Sequence, residues 1–392
     1  MRLAIVGVGS GGSRVANRIL RVENSSGRHL SDGNVLLINS SDTTFDTKCL
    51  VPDDQRLLIG DVHREVDGQG TDSDVDLGAE IAQEDRHEII REFDAIDFAT
   101  IDGVLVTAGL GGGTGSGAGA VVIEALTSIM DEPVYGLGVL PQASEGATAA
   151  LNASRGLQSF VAEADNVIVF DNEAWQPDDA DSYTQANIAL ARRIVTLFAA
   201  GEFDAKATPE NRMDPSDMMR TLETGGLSSI GYAATDVSKG WRGWLAKLKG
   251  LFLRDGQEDP ATAAARINNL VRRAAKSRLT LPCNIESTER ALIMFSGPPR
   301  ELSRKGFESG RYWLEEEADT VDVMAGDEPH NKSSELTATI VFSNVTDVPR
   351  IEAMQAQAKG AEPEADSESK ATEEEAEADE GGTFVFEDTK TF

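Results

Sequence analysis

The segment Gly109-Leu-Gly-Gly-Gly-Thr-Gly-Ser-Gly-Ala-Gly119 holds the residue types in this chain best suited to chemistry. It follows a strand-like apolar run, Gly103-Val-Leu-Val-Thr-Ala108, and opens a helical pattern, Ala120-Val-Val-Ile-Glu-Ala-Leu126. Glycines let backbone N–H groups close around an anion, and a helix N-terminus adds a favourable dipole. Gly109, Gly111, Gly112, Gly113 and Gly115, with the hydroxyls of Thr114 and Ser116, then read as a phosphate cradle. A flexible linker would not require apolar runs on both sides. A second loop, Gly7-Val-Gly-Ser-Gly-Gly-Ser13, follows the first apolar run and adds Gly9, Ser10, Gly11 and Gly12. Its Gly7-x-Gly9-x-x-Gly12 spacing alone also fits a dinucleotide fingerprint. That fingerprint wants an acid after the second strand, yet Val35-Leu-Leu-Ile38 runs into Asn39-Ser40-Ser41. A third element, Met213-Asp-Pro-Ser-Asp217, offers two carboxylates three residues apart at a helix start. Helix capping is the alternative there: Asp214 as N-cap, Pro215 at the first position, Asp217 at the third.

The wording GGGTGSG is not the P-loop pattern. It resembles the signature loop of the tubulin/FtsZ superfamily of GTPases, and the resemblance spans roughly residues 1 to 350. It implies that both glycine loops face one triphosphate of GTP or GDP, with Asn39 beside it and Mg²⁺ carried through the phosphates. Gly68–Gly78 resembles the loop that senses the γ-phosphate, giving backbone donors at Gly70 and Thr71, although its three aspartates would repel phosphate. By the same likeness Glu145, in Pro141-Gln-Ala-Ser-Glu-Gly146, accepts from the ribose hydroxyls. Asn172, in Asp171-Asn-Glu-Ala174, reads guanine, and Tyr183 with Asn187 stacks on the base and offers an amide to its edge. Asp214 and Asp217 become catalytic acids that position water on the neighbouring subunit's nucleotide. This implies head-to-tail self-assembly, because a heterologous contact that does not close makes a filament. One departure is Arg212, where FtsZ carries Asn. The Tyr…Asn pair, the Asp-Asn-Glu-Ala turn and the acidic composition are most similar to CetZ, the archaeal tubulin-like proteins that shape cells. An FtsZ-type division protein, a paralogue that binds GTP without hydrolysing it, and an NAD-binding oxidoreductase built on Gly7-x-Gly9-x-x-Gly12 are the alternatives.

These residues need strand ends and helix starts to hold them. Expected strands are Arg2–Val6, Val35–Asn39, Gly103–Ala108, Pro133–Val139 and Asn166–Phe170, alternating with helical patterns as in βαβ units. A long helix at Tyr183–Ala200 follows. Beyond it come helices at Pro215–Leu222 and Pro260–Arg278, with strands at Leu227–Ala233, Arg290–Ser296, Val321–Ala325 and Ala338–Ser343. The expected fold is α/β: a Rossmann-like GTPase domain with a mostly parallel sheet (1–182), a central helix (183–204), and an α+β assembly domain (205–350). A disordered acidic tail (351–392) completes it, since Glu362 to Glu380 holds ten acidic residues and one lysine.

With 36 basic and 67 acidic residues the net charge is −31. This opposes nucleic-acid binding and reads as adaptation to a salt-rich cytoplasm, as in haloarchaea. Cys49, Cys283 and four histidines make neither a disulfide framework nor a zinc set, and no run approaches a membrane span. The expected location is the cytoplasm. Two segments suggest further partners. Trp241–Arg254 is basic and amphipathic, suited to a lateral or membrane contact, with core packing as the alternative. The end, Gly381-Gly-Thr-Phe-Val-Phe-Glu-Asp388, looks like a short docking peptide.

Overall fold

The structure is a computed structural model that describes residues 1–42, 49–175, 183–200, 213–237, 260–320, 322–330 and 333–361. The first half alternates strand and helix. β1 (Leu3–Val8) leads directly into α1 (Gly9–Ser26), and β2 (Val35–Asn39) and the short β3 (Arg56–Leu58) precede α2 (Val75–Glu84) and α3 (Arg86–Glu92). β4 (Gly103–Gly109), α4 (Gly113–Thr127), β5 (Val134–Leu140), α5 (Ala147–Glu163) and β6 (Asn166–Asp171) continue the pattern. A single turn, α6 (Asn172–Trp175), and the central α7 (Thr184–Phe198) follow.

The second half contains α8 (Pro215–Leu222), β7 (Leu227–Asp236), α9 (Pro260–Ala275), β8 (Arg290–Gly297), α10 (Arg304–Glu317), β9 (Val323–Pro329), β10 (Glu335–Ser343) and α11 (Pro349–Ala358). The ten strands of the described residues form one sheet in the order β3-β2-β1-β4-β5-β6-β7-β10-β8-β9. From β3 to β7 every pairing is parallel; β10 pairs antiparallel with β7 and β8, and β9 returns parallel to β8.

The parallel strands β1, β2, β4, β5 and β6 are mostly apolar and buried because helices cover both faces. In β4, Val104, Val106 and Ala108 pack into one layer and Leu105 into the other. The expected strands recur with shifted ends: β7 runs on to Asp236, and β9 is Val323–Pro329 where Val321–Ala325 was expected. The helix expected to reach Arg278 stops at Ala275. One boundary is corrected. The acidic tail was expected from residue 351, but α11 spans Pro349–Ala358, with Ile351, Met354 and Ala358 buried at helical spacing and Pro349 at its first position. The remaining tail, Trp241–Arg254, Arg212 and residues 201–204 of the expected central helix lie outside the described residues.

Candidate nucleotide site

In the strand order 3-2-1-4-5-6, the order in which successive strands are added reverses between β1 and β4, and ligands of open α/β sheets bind in that crevice beyond the strand ends. Both glycine loops emerge there. Gly9 begins α1 at φ +69°, a left-handed conformation that suits glycine, and a Cβ on it would lie 2.9 Å from the Gly115 nitrogen. A Cβ on Gly11 would lie 2.9 Å from the Gly109 Cα. The first turns of α1 and α4 therefore touch backbone to backbone, and two helix N-termini share one crevice.

Side-chain hydroxyls complete this half of the site. Ser40 Oγ lies 2.7 Å from Thr114 Oγ1, and Thr71 Oγ1 lies 3.3 Å from the same atom. Asn39 donates to Ser41 O (3.0 Å), which closes the turn carrying Ser40. Two expected donors are differently engaged. Ser116 donates inward to Leu110 O (2.5 Å), bracing the signature loop from within. The Gly70 N–H donates to Ser40 O (3.1 Å), which leaves Thr71 as the donor of that pair. The aspartates of the same loop are partly compensated. Asp74 caps α2 by accepting from Leu77 N (3.0 Å), Asp76 pairs with Arg155, and Asp72 is exposed.

The other half gathers Glu145, Tyr183 and Asn172. Glu145 Oε1 accepts from Gln142 N (2.8 Å) and from the Tyr183 hydroxyl (2.7 Å); its Oε2 has no bond among the described residues. Burial, then the bond to Glu145, holds the Tyr183 phenol well above its ordinary range, so it stays a neutral donor. Asn172 follows β6 and is buried, with Oδ1 lacking a partner among the described residues. An orphaned acceptor of this kind suits a ligand that brings its own N–H. Asn187 sits one turn into α7 from Tyr183, its N–H bonded to Tyr183 O at 2.9 Å.

Two residues that spacing did not reveal hold these loops together. Asn152, on α5, donates to Ser73 O (2.7 Å) and Gly111 O (3.2 Å). Its signal was a lone amide among the alanines Ala149-Ala150-Leu151-Asn152-Ala153. Arg350, on α11, bonds Asp171 Oδ1 (3.0 Å) and Pro141 O (2.7 Å). Burial raises the Asp171 carboxyl above its ordinary value, and Arg350 opposes that shift.

Asp214 and Asp217 form the capping box expected of them. Asp214 Oδ1 accepts from Ser216 N (2.9 Å) and Asp217 N (3.3 Å), and Asp217 Oδ2 accepts from Asp214 N (3.0 Å). In chain order the 15 residues of α7, about 22 Å of helix, stand between Tyr183 and this turn.

Comparison with known proteins fits this geometry. Residues 2–177 match the tubulin/FtsZ family GTPase domain, and residues 178–360 match the C-terminal domain of tubulin-like CetZ. The chain is 41% identical over 362 residues, 91% of each chain, to tubulin-like protein CetZ1 of Haloferax volcanii. The chain belongs to the CetZ family of tubulin-like proteins. CetZ3 of the same organism is also 41% identical, over 91% of each chain. Among solved structures, a GDP-bound monomer of Haloferax volcanii CetZ1 superposes with a TM-score of 0.80 at 38% identity, covering 92% of this chain and 99% of that one. A GTPγS-bound protofilament of CetZ2 from that organism also gives 0.80, at 30% identity, covering 92% and 98%. No helix among the described residues of this CetZ chain is long and apolar enough to cross a membrane.

Proposed function

We propose that this CetZ protein binds GTP and GDP, assembles head to tail, and hydrolyses GTP at each subunit junction, in the service of archaeal cell shape. The relatives solved as a GDP-bound monomer and a GTPγS-bound protofilament support nucleotide binding and self-assembly. Gly9–Gly12, Gly109–Ser116, Asn39 and Thr71 take the phosphates in this reading, Glu145 the ribose, and Asn172, Tyr183 and Asn187 the base. The hydroxyls of Ser40, Thr71 and Thr114 are hard oxygen donors of the kind Mg²⁺ accepts, so they fit a cation carried in by the phosphates. The folded GTPase and assembly units are taken as roughly 1–182 and 205–361, joined through α7.

The catalytic part rests on chain order: α7, about 22 Å of helix, stands between Tyr183 and the turn that carries Asp214 and Asp217. A subunit with that spacing lacks a complete site, and a neighbour's acids supply the missing half. Phosphoryl transfer asks for positioning and charge rather than covalent chemistry, so a carboxylate at Asp217, held by its capping partner Asp214, suffices to orient water. The test is GTPase activity against protein concentration in molar KCl. Specific activity should rise steeply with concentration, and Asp217→Ala should abolish turnover while GTP binding and filaments persist. Activity strictly proportional to protein at every dilution, or normal turnover by Asp217→Ala filaments, refutes the split site.

A further inference from the structure

We propose that Arg350 is a positioning residue for the ribose- and base-reading loops, and that through it α11 senses whether the nucleotide site is filled. The proposal rests on the guanine-nucleotide reading above and adds to it a residue from the far end of the chain.

The guanidinium of Arg350 bridges two strand ends. Nε donates to Asp171 Oδ1 at 3.0 Å, and Nη2 donates to Pro141 O at 2.7 Å. Asp171 closes β6 immediately before Asn172, and Pro141 follows β5 immediately before Gln142-Ala-Ser-Glu145. One planar fork therefore fixes the separation between the base reader and the ribose reader. The two side chains are 11% and 2% exposed, so removing either leaves the other charge buried and uncompensated.

The contact is not a lone ion pair. Asp171 Oδ1 also accepts from Glu173 N (3.2 Å), and Glu173 Oε2 accepts from Ala143 N (2.7 Å). Gln357, near the other end of α11, donates to Ala143 O at 2.7 Å. The bonds run from α11 to β6, on to the 142–145 turn, and back to α11. The bonds of Arg350 and Gln357 go to Asp171, Pro141 and Ala143, so the ring acts first on ribose and base geometry. A nucleotide that orders the 142–145 turn and Asn172 favours docking of α11, and docked α11 favours the nucleotide by the same factor.

Full-length protein in molar KCl is titrated calorimetrically with GDP and with 2′,3′-dideoxy-GDP. The set comprises wild type, Glu145→Ala, Asn172→Ala, Arg350→Ala and the Arg350→Ala/Glu145→Ala double variant. Arg350→Ala should weaken GDP binding roughly 10–100-fold, the scale for a lost charged hydrogen-bond partner. It should also erase most of the preference for GDP over the dideoxy analogue, and adding Glu145→Ala should then cost little more. In wild type, saturating GDP should slow hydrogen exchange of the α11 amides. Gln357→Ala, at an exposed edge, should weaken GDP roughly 2–10-fold. Should Arg350→Ala not fold, the Gln357 variant and the exchange measurement decide the matter alone. Wild-type affinity and ribose preference in Arg350→Ala, or α11 exchange indifferent to GDP, overturns the proposal while Glu145→Ala and Asn172→Ala still bind weakly. If those two variants bind GDP normally, the site reading itself has failed, and this proposal falls with it.

Discussion

Asn172 joins a cost in the empty protein to a gain in the bound one, and so can be tested from both sides. The residue is 7% exposed, and its Oδ1 is buried without a partner among the described residues. A buried acceptor left unpaired costs about 1–3 kcal/mol. A guanine N–H that reaches this oxygen removes that cost on binding, so the penalty on the empty protein becomes affinity for the base. Asn172→Ala deletes both. Taking about 2 kcal/mol as the middle of the range, GDP affinity falls about 30-fold. At a GDP concentration 100 times the wild-type Kd, the ligand stabilises wild type by about 2.7 kcal/mol and the variant by about 0.9 kcal/mol. Without ligand the variant should be at least as stable as wild type, because relief of the orphan offsets the packing lost with one amide. Denaturant midpoints in molar KCl, with and without GDP, measure both quantities, and calorimetric titration checks the Kd directly. A less stable empty variant with unchanged GDP affinity would refute the reasoning and make Asn172 a packing residue.

Two further predictions probe other parts of the molecule. A Cβ at Gly113 would collide with the Asp74 carbonyl and the Thr71 hydroxyl, so Gly113→Ala should displace the turn carrying Thr71. GTPγS affinity should then fall more than GDP affinity, and an unchanged ratio of the two would mean that this turn does not attend the γ-phosphate. Burial alone would raise the Glu328 carboxyl, but hydrogen bonds from His330 and Arg28 outweigh it and hold the group below its usual value. Because the folded value lies below the unfolded one, the stabilisation is present above about pH 4.3 and is lost as pH falls through the folded value. Glu328→Gln should lower stability at neutral pH and flatten the acid limb of a denaturant-midpoint series; parallel pH profiles would contradict this.

The backbone geometry of the glycine loops was legible because it is local. A strand, a run of glycines and a helix start lie in one continuous stretch, and backbone geometry follows from residue type. Asn172, Tyr183 and Asn187 could be singled out only through resemblance, since an amide or a phenol at helical spacing carries no signature of its own. Arg350 was invisible because its partners lie 179 and 209 residues away, and no periodicity records such a pairing. The α11 boundary was missed for a related reason. Its apolar face is three side chains, Ile351, Met354 and Ala358, set beside a strongly acidic stretch whose composition dominates any window.

Capping and catalysis at the Asp214 turn are often set against each other, yet the hydrogen bonds make them compatible. Asp214 Oδ1 takes the Ser216 and Asp217 N–H groups and the Ser216 hydroxyl, so this acid is committed to the helix start. Asp217 returns only one oxygen, Oδ2, to Asp214 N, and its Oδ1 has no bond among the described residues. The capping box therefore fixes the Asp217 carboxylate by one oxygen while the other remains available. A water-positioning group needs this combination of rigidity and a spare acceptor. The two acids should accordingly behave differently. Loss of Asp214 should act mainly through the turn, costing about 1 kcal/mol of stability, whereas loss of Asp217 should act mainly on turnover.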